Sequence, residues 1–279
     1  MNTPDILFKY ISSDVAHLIL EKGLSYSRAS NFWDADPCEF NFIYPKIGII
    51  ELKRVMENFC RQYHDDENVS LIKDILRVEE KRLELLRILN NPASMDALKK
   101  SARDAIVDRY YICSLSGYSN NDELWKKYAN NHNGVMLALS VDGINLVNAS
   151  DIDFLKKVTY KDSLSLHSII KIYTRLANNK DIIFTKMKKY EWANEYRLLL
   201  NTERAYSEKH IFSALPFEKN KNHYIHDNRL SQFLVSITFG SNCNTEVREK
   251  IEKIVDQKYP QVELKNEKTF GTASKKSRE

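Results

Sequence analysis

A chain of 279 residues is long enough for one large domain, or for a domain that carries a sizeable insertion. Its 43% hydrophobic and 29% charged residues are ordinary for a globular protein, and a net charge of +4 is too mild to define a nucleic-acid binder. The 7 glycines form neither GxGxxG nor GxxxxGK, which excludes Rossmann and P-loop phosphate cradles, and Cys38, Cys60, Cys113 and Cys243 lack the spacing of a zinc site.

The opening MNTPDILFKY has no basic region followed by an apolar one, and no apolar run approaches a bilayer-spanning length. The expectation is therefore a cytoplasmic protein with reduced thiols and no membrane association. Ile6 to Ile11 reads as a strand with Lys9 inside it, a lysine expected to point into a cleft and meet a carboxylate or a ligand phosphate. Ser12 or Ser13 can cap a helix striped by Val15, Leu18 and Ile19, and Gly23 stops it. Leu24 to Ala29 is a second strand, followed by an aromatic and acidic loop over residues 31–40.

From about 46 to 108 the pattern turns to long charged helices, with a stripe of Ile72, Ile75, Leu76, Leu83 and Leu86. This is a helical insertion, most simply a hairpin, and the surface expected to take any protein partner. Strands resume at Tyr110–Ser116, a helix follows at Asp122–Asn130, and Gly134–Ser140 is apolar on both faces, as in a fully buried strand. A short strand near Phe154–Tyr160 precedes a helix at about Leu164–Ala177. Strands are then expected at Tyr196–Leu200, Ile211–Leu215 and Phe233–Phe239, a helix at Thr245–Gln257 and a last strand at Val262–Leu264. The predicted architecture is one α+β domain over 1–264 with a disordered basic tail at 265–279.

KMKKYEWANEYRLLL, residues 186–200, holds the sharpest local signal. In an extended Glu195–Leu200, alternation places Tyr196, Leu198 and Leu200 toward the core and Glu195, Arg197 and Leu199 on the open face. A charged pair on a core-bound strand is a way to mount a site on a rigid element; it is also what a surface ion pair looks like.

Four segments in this order resemble the bacterial domain of unknown function 2971 family. They are LFKYISS…LILEKGLSYSRASNFWDADP, YICSLSG…ELWKKYANNHNGVMLAL, VTYKD…KMKKYEWANEYRLLL, and LVSITFGSNC with its amphipathic helix. Where that family has Asn-Asp-Pro after the first Phe, this chain has Trp33-Asp34-Ala35-Asp36-Pro37. The resemblance implies a bacterial toxin or antiphage-defence context and names no activity.

The opening strand, helix and Tyr-Ser strand further resemble ADP-ribosyltransferase toxins and their DNA-modifying relatives. That resemblance implies a mixed, mainly antiparallel sheet and NAD as substrate. It also implies a glutamate late in the chain, here Glu195, to stabilise the oxocarbenium-like charge of nicotinamide–ribose cleavage. Lys9, Tyr10, Tyr26, Ser27, Arg28 and Arg197 are the matching cofactor-binding candidates: aromatics for nicotinamide, arginines for pyrophosphate. His132 joins them by spacing alone, four residues after Tyr128 at a helix end, where it could equally be an exposed turn residue beside Asn133-Gly134. Arginine-directed relatives carry two glutamates two residues apart; position 197 is Arg, so nucleic acid or another non-arginine target is expected.

Two other classes compete with the transferase. A metal-dependent nuclease would use Asp34, Asp36 and Glu39, although an acidic turn before Pro37 is the plainer account and no metal site is expected. A non-enzymatic nucleic-acid- or partner-binding protein would use Lys186, Lys188 and Lys189, which in many proteins are a solvated face.

Overall fold

The computed structural model describes residues 4–29, 46–62, 69–97, 110–148, 155–162, 183–201, 207–208, 210–214 and 224–267, with residues 32, 64 and 100. The chain divides into two compact units, Met1–Ser27 with Tyr111–Val158 and Glu191–Glu279, and Arg28–Tyr110 with Thr159–Tyr190. The protein is α+β.

In the first unit, ten strands among the described residues form one mainly antiparallel sheet. They are β1 (Ile6–Ile11), β2 (Leu24–Arg28), β3 (Tyr110–Ser116), β4 (Val135–Ser140), β5 (Leu155–Lys157), β8 (Glu195–Asn201), β9 (Phe212–Ala214), β10 (Tyr224–Asp227), β11 (Leu234–Phe239) and β12 (Glu263–Asn266). Their order is β12-β11-β4-β1-β3-β2-β10-β9, with β8 also on β3 and β5 on β8. β1 and β4 pair over their whole length, from Ile6 opposite Ser140 to Ile11 opposite Val135. β1 meets β3 only where Phe8 faces Ser116, so the sheet opens beyond that point.

Helices α1 (Ser13–Lys22) and α7 (Thr245–Lys258) bury Ala16, Ile19, Leu20, Ile251, Ile254 and Val255 in the large core. Leu7, Ile11, Leu137, Leu139, Ile237 and Phe239 meet them from alternate positions on the central strands. Each such side chain contributes about 1.5–3 kcal/mol of transfer free energy. Asn244 starts α7 by accepting the Glu246 amide at 2.8 Å, which satisfies one of the helix's orphan donors. Gly23 ends α1 at φ 117°, and a Cβ there would lie 2.0 Å from the Asp227 carbonyl oxygen, so glycine is required on both counts.

The second unit holds α2 (Ile49–Gln62), α3 (Val69–Arg77) and α4 (Glu79–Leu89), which confirm the helical character expected of the insertion. Asn90 ties its two ends together, accepting from the Ile47 amide at 2.8 Å and donating to the Ile47 carbonyl at 2.9 Å. A parallel pair, β6 (Thr159–Lys161) and β7 (Thr185–Met187), belongs to the same unit.

Differences from expectation have local causes. Val141–Val147 is a short helix, α6, that Gly143 argues against; Ser140 caps it by accepting the Gly143 amide at 3.2 Å. β7 and β10 are too short for periodicity to reveal. β12 extends to Asn266, two residues into the stretch expected to be tail, because it pairs through its backbone with β11 up to Phe239. The expected helix at 164–177, the acidic loop from Trp33 to Phe40 and residues 268–279 lie outside the described residues.

Candidate functional site

Strand alternation sorts the candidate residues by face. Leu7 and Ile11 of β1, Tyr111, Cys113 and Leu115 of β3, and Tyr196, Leu198 and Leu200 of β8 all enter the large core. Phe8 and Tyr10, Ser114 and Ser116, and Glu195 and Arg197 therefore share the opposite face. The expectation that this second face of β8 is open is corrected: Glu195 is 5% exposed and Arg197 0%. The arginine is too deeply buried to be a surface ion pair.

Glu195 is held from two sides through one oxygen. Its Oε1 accepts from the Ser114 hydroxyl at 2.8 Å and from Arg197 Nε at 2.6 Å. Lys9 shares the core-facing side of β1 with Leu7 and Ile11, away from Glu195, and donates to the Ser114 carbonyl at 3.0 Å, beyond the point where β1 leaves β3. Its partner is thus a backbone carbonyl, where a carboxylate or phosphate was expected. Burial pushes the neighbouring Cys113 thiol up, and the Lys9 ammonium opposes that shift. Ser114 was missed in the sequence, although the alternation of YYICSLS already set it against the core-facing cysteine.

Tyr10 and His132 gather around Trp125 on α5 (Asp122–Tyr128). Tyr10 and Trp125 meet edge to face at 5.2 Å, and His132 stacks on the indole at 5.7 Å and 12°. The Tyr10 hydroxyl donates to the Tyr118 carbonyl at 2.9 Å, and burial pushes its pKa well above the usual tyrosine range. His132 Nδ1 lies 2.8 Å from Glu267 and its Nε2 3.1 Å from Asp122. Asn130, Asn131 and His132 all have positive φ, at 48°, 53° and 64°. The turn is held there by hydrogen bonds from the Asn242 amide to the His132 carbonyl and from the Asn242 side chain to the Asn131 carbonyl.

Of the remaining candidates, Tyr26 is 1% exposed and packs in the core, on the other side of the sheet from Glu195. Ser27 lies on the face opposite Tyr26, with Tyr224 as its strand partner. Arg28 ends β2 and falls in the second unit. Trp125 is a core anchor; Tyr128 is exposed, with the Lys127 ammonium 5.6 Å from its ring, whereas His132, four residues on, stacks on Trp125. In the second unit, Lys186 and Lys189 lie 5.0 and 4.8 Å from the Tyr190 ring, and Lys188 pairs with Asp162 at 3.6 Å. No group of three His, Cys, Asp or Glu side chains among the described residues is set to hold a metal, and Asp34, Asp36 and Glu39 lie outside them.

His226, invisible in the sequence, sits opposite Ser25 on β10 and is 2% exposed. Its Nδ1 lies 3.3 Å from the Gly23 carbonyl, and its Nε2 has no hydrogen-bond partner. Burial holds the imidazole below its ordinary 6.5, against the pull of that carbonyl. The unfolded chain therefore binds this proton more readily, and its share of stability, complete above the unfolded value, is lost as pH falls below it. Urea midpoints at about pH 7.5 and about pH 5.5 should differ more for the wild type than for His226→Phe; equal differences would remove His226 from the acid response.

A mainly antiparallel open sheet with α1 and α7 on one face, and α5 with a buried polar cluster on the other, defines an α+β protein of mixed topology. The model of the family described as Protein of unknown function (DUF2971) matches residues 124–277, more than half of the chain, and the chain belongs to that family. No curated protein and no solved structure matches it.

Proposed function

We propose that the chain is an ADP-ribosyltransferase-like enzyme that cleaves NAD, with Glu195 as the carboxylate that stabilises the reacting ribose. The observation that carries this reading is the held carboxylate itself. Glu195 receives Ser114 and Arg197 on one oxygen, on a rigid strand. Breaking the nicotinamide–ribose bond releases neutral nicotinamide and leaves positive charge on the sugar ring. A carboxylate fixed beforehand at that ring needs no reorganisation as the charge develops. Arg197 supplies the counter-charge that lets a carboxylate stay ionised in a water-poor site. Ser27 shares the Glu195 face by alternation and suits a ribose hydroxyl; Tyr10 offers an aromatic neighbour on the same face.

The acceptor in this reading is nucleic acid or another non-arginine group, since position 197 is arginine. The aromatic-basic cluster of Lys186, Lys189 and Tyr190 has the chemistry that binds single-stranded nucleic acid. A cytoplasmic toxin or antiphage effector is the setting that fits such an enzyme. Among the described residues no helix is long and apolar enough to cross a membrane.

Millimolar NAD should raise the melting temperature, by the equivalent of about 2.7 kcal/mol when ligand reaches 100 times its Kd. No shift with NAD, ADP-ribose or nicotinamide would overturn the proposal.

A further inference from the structure

A second feature of the same unit is not used by the Glu195 chemistry. A cleft of about 450 Å³ is lined by Phe8 of β1, Met136 and Ala138 of β4, Thr238 of β11 and Trp125 of α5, with Lys265 and Glu267 at the end of β12. Its volume falls in the range of small-molecule sites, and its lining is mixed, with Ile6 and Val235 adding to the apolar side and Ser119, Asn120, Ser236 and Asn266 to the polar one.

One of those polar groups is a positioned carboxylate. The Glu267 side chain is 6% exposed, and it is fixed by His132 Nδ1 at 2.8 and 3.0 Å and by the Ser241 amide at 2.8 Å. His132 is itself fixed by Asp122 and by stacking on Trp125, which lines the cleft. Three consecutive non-glycine residues with positive φ, Asn130 to His132, are maintained to hold this arrangement. Strain of that kind persists where surrounding structure over-determines it, and it concentrates at ligand sites. Each carboxylate oxygen has two acceptor lone pairs, so Glu267 retains capacity for a ligand N–H. Lys265 stands half-exposed beside it, paired with Glu263 at 2.7 Å in an exposed contact that a phosphate could replace.

We infer that this cleft binds a nucleotide whose base carries an exocyclic amine. The base would lie on the apolar lining, its amine would donate to Glu267, and its phosphate would face Lys265. The inference does not rest on NAD cleavage at Glu195 and survives its failure.

AMP and purine riboside 5′-monophosphate separate the possibilities, because they differ only in the exocyclic amine. Titration calorimetry of the full chain should show AMP binding at least about tenfold tighter than purine riboside 5′-monophosphate, which leaves the Glu267 acceptor without its donor. Glu267→Gln, which gives up the charge that receives the amine, should narrow that preference. Val235→Trp, at a lining position that is 41% exposed, narrows the cleft from its rim and should abolish AMP binding while leaving the melting temperature of the free protein near that of the wild type. Parallel titrations with NAD and a short deoxyadenosine oligonucleotide identify which source of the same chemistry the cleft prefers. No AMP binding at millimolar ligand, equal binding of AMP and purine riboside 5′-monophosphate, or unchanged AMP binding to a folded Val235→Trp variant would each overturn the inference. The readout is binding alone, so nicotinamide release plays no part in it.

Discussion

Glu195→Gln should lower nicotinamide release from NAD by about 100-fold or more, the loss seen when one transition-state stabiliser is removed, while NAD still raises the melting temperature. Glutamine keeps the reach of the side chain and can still accept from Ser114, so the change isolates the charge. The competing role is scaffold. Arg197 is 0% exposed, and its Nε lies 2.6 Å from Glu195, so neutralising the glutamate weakens a buried ion pair. Breaking such a pair costs about 3–5 kcal/mol when one charge is left uncompensated. A variant with a large fall in stability and unchanged activity per folded molecule would move Glu195 from chemistry to scaffold. Measuring urea unfolding and nicotinamide release on one preparation separates the two outcomes.

Asp227→Ala should destabilise the fold by about 3–5 kcal/mol without acting on the Glu195 chemistry. Asp227 is 0% exposed and holds Arg229 in a two-pronged contact, Nε to Oδ1 at 2.8 Å and Nη2 to Oδ2 at 2.7 Å. Arg229 also donates to the Val147 carbonyl at 2.6 Å and to Asn148 at 3.2 Å. The pair therefore ties β10 to the end of α6. Removing the carboxylate takes the two-pronged partner from a guanidinium that is only 10% exposed, which is why the expected cost exceeds that of an exposed pair. Replacing both residues by apolar ones of similar volume should recover much of the loss, because a buried ion pair pays a desolvation cost that an apolar pair does not. A single variant within about 1 kcal/mol of wild type would show that Arg229 finds adequate partners without Asp227.

The two predictions differ in how visible their residues were beforehand. Glu195 and Arg197 were legible because β8 carries seven residues of clear alternation, with Tyr196, Leu198 and Leu200 marking the core side. Alternation could not show that the other side is buried too, since burial of a charged face depends on what covers it. Asp227 and His226 sit on a four-residue strand with no apolar period, and His226 makes its contact with Gly23 across 203 positions of sequence. The Glu267–His132 contact spans 135 positions and begins in a stretch whose polar composition reads as tail. Its strand exists because the backbone of β11 offers an edge, a cause that no side-chain pattern records. Tyr26 was expected at a ligand and lies in the core. A large aromatic on a strand suits either place, and only the packing of the opposite layer decides between them.

The most direct measurement of the central claim is release of free nicotinamide from NAD by the purified chain, followed by chromatography with and without single-stranded nucleic acid as acceptor. The account predicts nicotinamide release that depends on Glu195, with ADP-ribose appearing either free or on the acceptor in matching amount. A folded wild-type protein that releases no nicotinamide under either condition, at millimolar NAD and over hours, would contradict it.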